Sequence, residues 1–200
     1  WEESLKNQEL DVENYFLKRK ININKPIVGL ATNMLWDAQV YFPTNFFKDI
    51  LEWLFFTIDY FSKNPELQLV IRIHPVEVLT TTKSLEKIED NILEKYPVLP
   101  KNIFLIKPED KISTYSVFDK CNTVLVYASK IAMETMARNI PTIVCGESFL
   151  RNKSISYDPN SKEEYLNLLK KLPFEENPIS NKRLLMAKKY AYHFFFRRTI

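Results

Sequence analysis

Glycine is almost missing from this chain. Gly29 and Gly146 are the only two in 200 residues. A phosphate loop of the G-x-G-x-x-G or Walker kind is thereby excluded, so any phosphate must be held by another device. Cysteine and histidine are equally scarce, with two of each. Cys121 and Cys145 both sit in apolar, strand-like surroundings and read as small core residues of a reducing compartment. With no Cys/His cluster, no zinc site is expected and no metal is assigned. No apolar run approaches the ~18 residues a membrane helix needs. The net charge of +3 is too small to argue for nucleic acid as a partner. One basic stretch has interleaved aromatics, YAYHFFFRR near the end. The opening WEESLKNQELDVENYFLKRK is charged throughout. It has no apolar signal-peptide core and no initiator Met, and we expect a piece of a longer protein.

What is present is an alternation. Apolar runs PIVGLAT (26–32), LQLVIRI (67–73), NIFLI (102–106), TVLVY (123–127) and PTIVC (141–145) read as five strands. Amphipathic stretches at 46–63, 84–96, 113–121, 130–139, 161–172 and 181–198 read as helices. Ser84 is the expected N-cap of the second, and Ser161 with Glu164 matches a capping box. Continuously apolar strands are buried on both faces. The expected fold is therefore α/β, a doubly wound, Rossmann-like parallel sheet with helices on both faces. Residues 1–25 form an N-terminal linker or helix, and residues 26–200 form a single domain.

Ligands of such sheets bind beyond the C-terminal strand ends, near the reversal in strand order. Each of the five ends is polar. After the first strand come Asn33, Trp36 and Asp37, and at the end of the second come Arg72 and His74. Ser113, Thr114 and Tyr115 open the helix after the third. Ser129 and Lys130 start the helix after the fourth, with Glu134 one turn in. Glu147, Arg151, Asn152 and Lys153 follow the fifth. A helix start with a serine and a lysine suits an anion. Arg72 and His74 are spaced i, i+2, so on a strand both would face one phosphate. A buried arginine needs a partner, and Glu134 or Glu147 could supply one instead. Glu134 is an acceptor suited to sugar hydroxyls. Together these describe a nucleotide site.

The segments NMLWDAQVYFP, LEWLFFTIDYF, LQLVIRIHPVE, ISTYSVFDKC, VYASKIAMETMARNIPTIVCGE, RNKSISYD and YAYHFFFRR, taken in order, resemble the capsule polysaccharide biosynthesis family. These are bacterial proteins of glycosyltransferase type and GT-B architecture. The resemblance implies the C-terminal, nucleotide-sugar-binding half of a two-domain enzyme, similar at a distance to bacterial sialyltransferases and Kdo transferases. By it, His74 and Ser129 contact the donor phosphate, Lys130 assists, and Glu134 holds ribose or donor sugar. The closing helix packs back toward an N-terminal half. Three positions depart from the family pattern: Ala132, Asn139 and Ser154 stand where glycine is expected.

The implied activity is transfer of a sugar from a CMP-, UDP- or GDP-type donor to a surface or capsular polysaccharide, with no cofactor required. Arg72, His74 and Lys130 would stabilise charge growing on the leaving phosphate. Asp37 and Glu147 are local candidates for the general base, which is otherwise expected in the N-terminal half. The implied partners are the nucleotide-sugar and a glycan acceptor, in the cytoplasm or peripheral to the inner membrane through assembly machinery. Two alternatives remain open: a non-catalytic nucleotide-binding or scaffold module of glycan assembly, and a polyol-phosphate transferase.

Overall fold

The computed structural model describes residues 11–36, 45–78, 85–174 and 178–198. Helix α1 (Val12–Lys18) leads into β1 (Ile27–Ala31) and α2 (Ile50–Ser62). Then come β2 (Gln68–Arg72), a single 3-10 turn (Pro75–Val78) and α3 (Ile88–Lys95). Strand β3 (Ile103–Ile106), α4 (Thr114–Phe118), β4 (Thr123–Val126) and α5 (Ile131–Ala137) follow. The chain closes with β5 (Thr142–Val144), α6 (Lys162–Leu169) and α7 (Asn181–Arg197).

The five strands form one parallel sheet in the order β3-β2-β1-β4-β5. The chain thus winds outward from β1 to one edge, returns to the centre, and winds to the other. Successive strand residues feed opposite cores, as the two-residue period requires. Ile27, Ala31, Val70, Val124, Val126 and Val144 pack on one face with α1, α4, α5 and α7. Val28, Leu30, Leu69, Ile71, Leu125 and Ile143 pack on the other with α2, α3 and α6. This is the doubly wound α/β fold expected from the alternation of strands and helices. Helix α1 is docked, since Tyr15 and Phe16 are buried in the first core.

Most helices begin where a side chain can take up a free N–H. Asp49, Ser113, Ser161 and Ser180 cap α2, α4, α6 and α7. At α6 the box is shifted by one residue: Ser161 accepts from the Glu164 amide, but the Glu164 carboxylate accepts from the amide of Asn160. Ser84 lies outside the described residues. The cap position of α3 is Lys87, which makes no side-chain cap bond. A distant carboxylate does that work, because Glu77 Oε1 accepts from the Ile88 amide at 3.3 Å.

Candidate functional site

The strand order reverses between β1 and β4, so the crevice of interest lies beyond those two C-terminal ends. The loops there are bonded to each other. The amide of His74 donates to Thr32 Oγ1 at 3.1 Å, joining the end of β2 to the end of β1. Asn33 Nδ2 donates to the carbonyl of Ala128 at 2.7 Å, joining β1 to the turn after β4. Ser129 and Lys130 come next along that turn. Thus His74, Asn33 and Ser129 belong to one bonded group of loops at the centre of the sheet edge.

His74 is half-buried, and its Nδ1 accepts from the amide of Val76 at 3.2 Å. An Nδ1 that accepts carries no proton, so the ring proton of the neutral imidazole is on Nε2. Pro75 opens the 3-10 turn that brings the Val76 amide back onto the ring. Ser129 Oγ accepts from the Ile131 amide at 3.4 Å, at the start of α5. Lys130 is exposed, with its ammonium 5.9 Å from the Phe194 ring centroid on α7. Lys153 is similarly placed, 5.5 Å from the Tyr190 ring of the same helix. Helix α7 therefore gathers two of the expected cations, from the loops after β4 and β5.

Tyr115 and Glu134 also come together across α4 and α5. Burial raises the Tyr115 hydroxyl to about 12, and the hydrogen-bonded, charged Glu134 beside it adds to the rise. Glu147 donates its backbone amide to Asn45 Oδ1 at 2.9 Å. Asn152 stands at the left-handed φ of 62°, its amide donating to Asp158. Asp37 lies outside the described residues.

Two arginines differ from expectation. Arg72 is 3% exposed, yet among the described residues it hydrogen-bonds to no carboxylate, Glu134 and Glu147 included. Its Nε donates to Thr114 Oγ1 at 3.2 Å, and its terminal nitrogens donate to the carbonyls of Lys107 and Ile112. Strand β2 ends at Arg72, and beyond it the His74 ring accepts from the Val76 amide while the Arg72 guanidinium serves oxygens of the β3–α4 connection. Burial lowers the Arg72 pKa, while Tyr15, Asp110 and Glu109 nearby oppose that shift. Arg151 is likewise buried, donating to the carbonyls of Val144 and Pro159 and to Asn160 Oδ1. Both arginines tie loops down with neutral oxygens, an outlet for a buried cation that spacing alone does not reveal. Thr114 is occupied by Arg72, and Ser113 is occupied as the α4 cap.

Asn33 was the residue least marked in the sequence. It is 6% exposed, and its Oδ1 has no hydrogen-bond partner among the described residues. The available signal was a Thr-Asn pair directly after an apolar strand.

The sequence profile of the capsule polysaccharide biosynthesis proteins matches residues 16–194. The chain belongs to the capsule polysaccharide biosynthesis family. No curated protein matches this family member significantly. Among solved structures, the UDP-GlcNAc 2-epimerase of Neisseria meningitidis bound to UDP-GlcNAc is 13% identical with a TM-score of 0.56. That match covers 96% of this chain and 51% of the epimerase. The Methanocaldococcus jannaschii UDP-GlcNAc 2-epimerase, in complex with UDP-GlcNAc and UDP, gives 11% and 0.53, covering 96% and 51%. The beta Kdo 2,4 transferase KpsC of Thermosulfurimonas dismutans gives 12% and 0.50, covering 82% and 44%. The capsule-family chain spans about half the length of these structures. At such identities the likeness is one of fold, the Rossmann-like half of GT-B proteins. No helix among the described residues is long and apolar enough to cross a membrane.

Proposed function

We propose that this chain is the donor-binding part of a glycosyltransferase that moves a sugar from a nucleotide-sugar to a bacterial surface polysaccharide. The observation that carries the reading is the His74 ring. Its Nδ1 is engaged by the Val76 amide, which makes the ring a hydrogen-bond donor through Nε2, on a loop whose His74 amide is bonded to Thr32 just after β1. A donor there suits phosphate, which only accepts. Ser129 adds a hydroxyl and Lys130 a charge from the next loop. Membership of the capsule family supports the polysaccharide as acceptor. The UDP-GlcNAc in two structures of the same fold supports testing UDP-sugars first.

In this reading an acceptor hydroxyl attacks the anomeric carbon, and the bond from that carbon to the donor phosphate breaks. Negative charge grows on the departing phosphate. His74, Ser129 and Lys130 stabilise that charge more than the ground state, which is what lowers the barrier. Glu134, with Tyr115 against it, accepts from ribose or sugar hydroxyls. Lys153 supplies a second cation at the same edge. Arg72 and Arg151 hold the loops that carry these groups and do not meet the ligand.

Titration calorimetry of the chain with CMP-, UDP- and GDP-sugars tests the proposal. One of the three should bind, and His74→Ala or Ser129→Ala should weaken it about tenfold, or ~1.4 kcal/mol. No heat with any of them would count against the reading.

A further inference from the structure

The turn after β2 buries its acid and not its valines. Of Pro75, Val76, Glu77 and Val78, Glu77 alone is buried, at 1% exposed, while Val78 is 40% exposed. Hydrophobicity alone would bury a valine and leave the carboxylate in water. The carboxylate is held by a helix eleven residues on, because Oε1 accepts from the Ile88 amide at 3.3 Å. Oε2 has no partner among the described residues. A buried carboxyl group with one oxygen unpaired is a costly cap for α3. Lys87 already stands at the cap position with extended backbone, where a serine could cap locally. The other end of Glu77 closes the turn, since its amide donates to the His74 carbonyl at 3.1 Å. Between the two, the Val76 amide donates to His74 Nδ1 at 3.2 Å. A single 3-10 turn has poor hydrogen-bond geometry and little stability of its own.

We infer that Glu77 is a positioning residue for His74. Its carboxyl group anchors the turn to the start of α3, and the anchored turn keeps the Val76 amide on His74 Nδ1. The inference rests on the reading of His74 as the group that meets the donor phosphate, and Glu77 itself touches no ligand. With the anchor cut, the turn is free to unwind and the Val76 amide leaves the ring. Nδ1 can then take the proton, and Nε2 is no longer held as the donor. A ring that must be oriented at the moment of binding costs affinity. This accounts for a carboxyl group buried at a place where a local cap would have served α3 alone.

The test separates the anchor from the cap. Glu77→Met keeps the bulk and removes the acceptor, and Lys87→Ser added to it gives α3 a local cap in exchange. Amide hydrogen exchange by NMR should find the Val76 amide of this double variant exchanging at least about tenfold faster than in the parent, with thermal unfolding close to the parent's. Glu77→Gln, which keeps an acceptor for the Ile88 amide, should hold the Val76 amide at the parent rate. Glu77→Asp, one methylene short of that amide, is a second folded variant read in the same way as the first. In calorimetry with the nucleotide-sugar that binds the parent, the double variant should lose at least about threefold in affinity. The same two changes placed in the His74→Ala background should cost nothing further, because Glu77 acts through His74. A Val76 amide that exchanges at the parent rate in the folded variants would overturn the inference. So would a local cap that restores the affinity, or losses that add to that of His74→Ala. If the parent binds no nucleotide-sugar, the reading of the site fails instead, and the Val76 exchange rate alone decides whether Glu77 holds the turn.

Discussion

Arg72 Nε donates to Thr114 Oγ1 at 3.2 Å, joining the end of β2 to the first residue of α4. The same guanidinium also serves the carbonyls of Lys107 and Ile112, so one side chain pins the whole β3–α4 connection. Replacing Arg72 with Met removes a buried charge, a gain, but strands three oxygens. Each stranded acceptor costs on the order of 1 kcal/mol or more, and the expected net loss is about 1–3 kcal/mol. Urea unfolding measures it. Nucleotide-sugar binding by the folded variant should be unchanged. A variant as stable as the parent that fails to bind would instead return Arg72 to the ligand.

Gly29 stands in the middle of β1 because a helix comes too close for anything larger. A Cβ there would lie 2.8 Å and 2.9 Å from two ring carbons of Phe118, and 3.0 Å from Cys121 Sγ. Both neighbours are buried, and neither can swing into solvent. Gly29→Ala should therefore destabilise by about 1–3 kcal/mol through overpacking. Adding Phe118→Leu should restore part of the loss, measured as the coupling in a double-mutant cycle.

Two of the three positions where the resemblance leads to an expectation of glycine have a backbone that suits one. Asn139, just past α5, has φ 65°, and Ser154 has φ 56°. Both are in the left-handed region, which asparagine tolerates and serine does not favour. Ser154→Gly should stabilise by about 0.5–1 kcal/mol, less the entropy glycine adds to the unfolded chain, whereas Asn139→Gly should be nearly neutral. Shifts in the urea midpoint decide. Ala132, the third position, is fully buried and has no left-handed requirement.

Glu77 is 1% exposed, with Oε1 on the Ile88 amide and Oε2 without a partner among the described residues. Burial raises its pKa from the usual 4.5, with Asp90 and Glu89 adding to the rise and the Ile88 amide and Lys87 opposing it. The folded chain then holds this proton to higher pH than the unfolded chain does. The stabilisation from Glu77 is fully present below the unfolded value, near 4.5, and is lost as pH rises through the folded value. Unfolding free energies measured upward from about pH 4.5 should fall more steeply for the parent than for Glu77→Gln.

The sequence by itself determined the architecture. Five apolar runs with amphipathic helices between them admit few arrangements, because each strand must cover both faces and each crossover turns the same way. It also determined that the polar residues stand at strand ends, and that a phosphate loop built on glycines is excluded. Only the tertiary structure decided what those polar residues face. Arg72 looked like a ligand cation, since a buried charge needs a partner, and Arg151 stood among the polar residues after the fifth strand. Carbonyls supply that partner, from the distant β3–α4 connection for Arg72 and from the end of β5 and the loop beyond it for Arg151. The Asn33 bridge to Ala128 and the cap that Glu77 lends to α3 are likewise contacts between separate segments, whereas the His74 proton is set locally, by the turn that Pro75 opens. Periodicity records which way a residue points along its own element. Which acceptor waits there depends on how the loops pack.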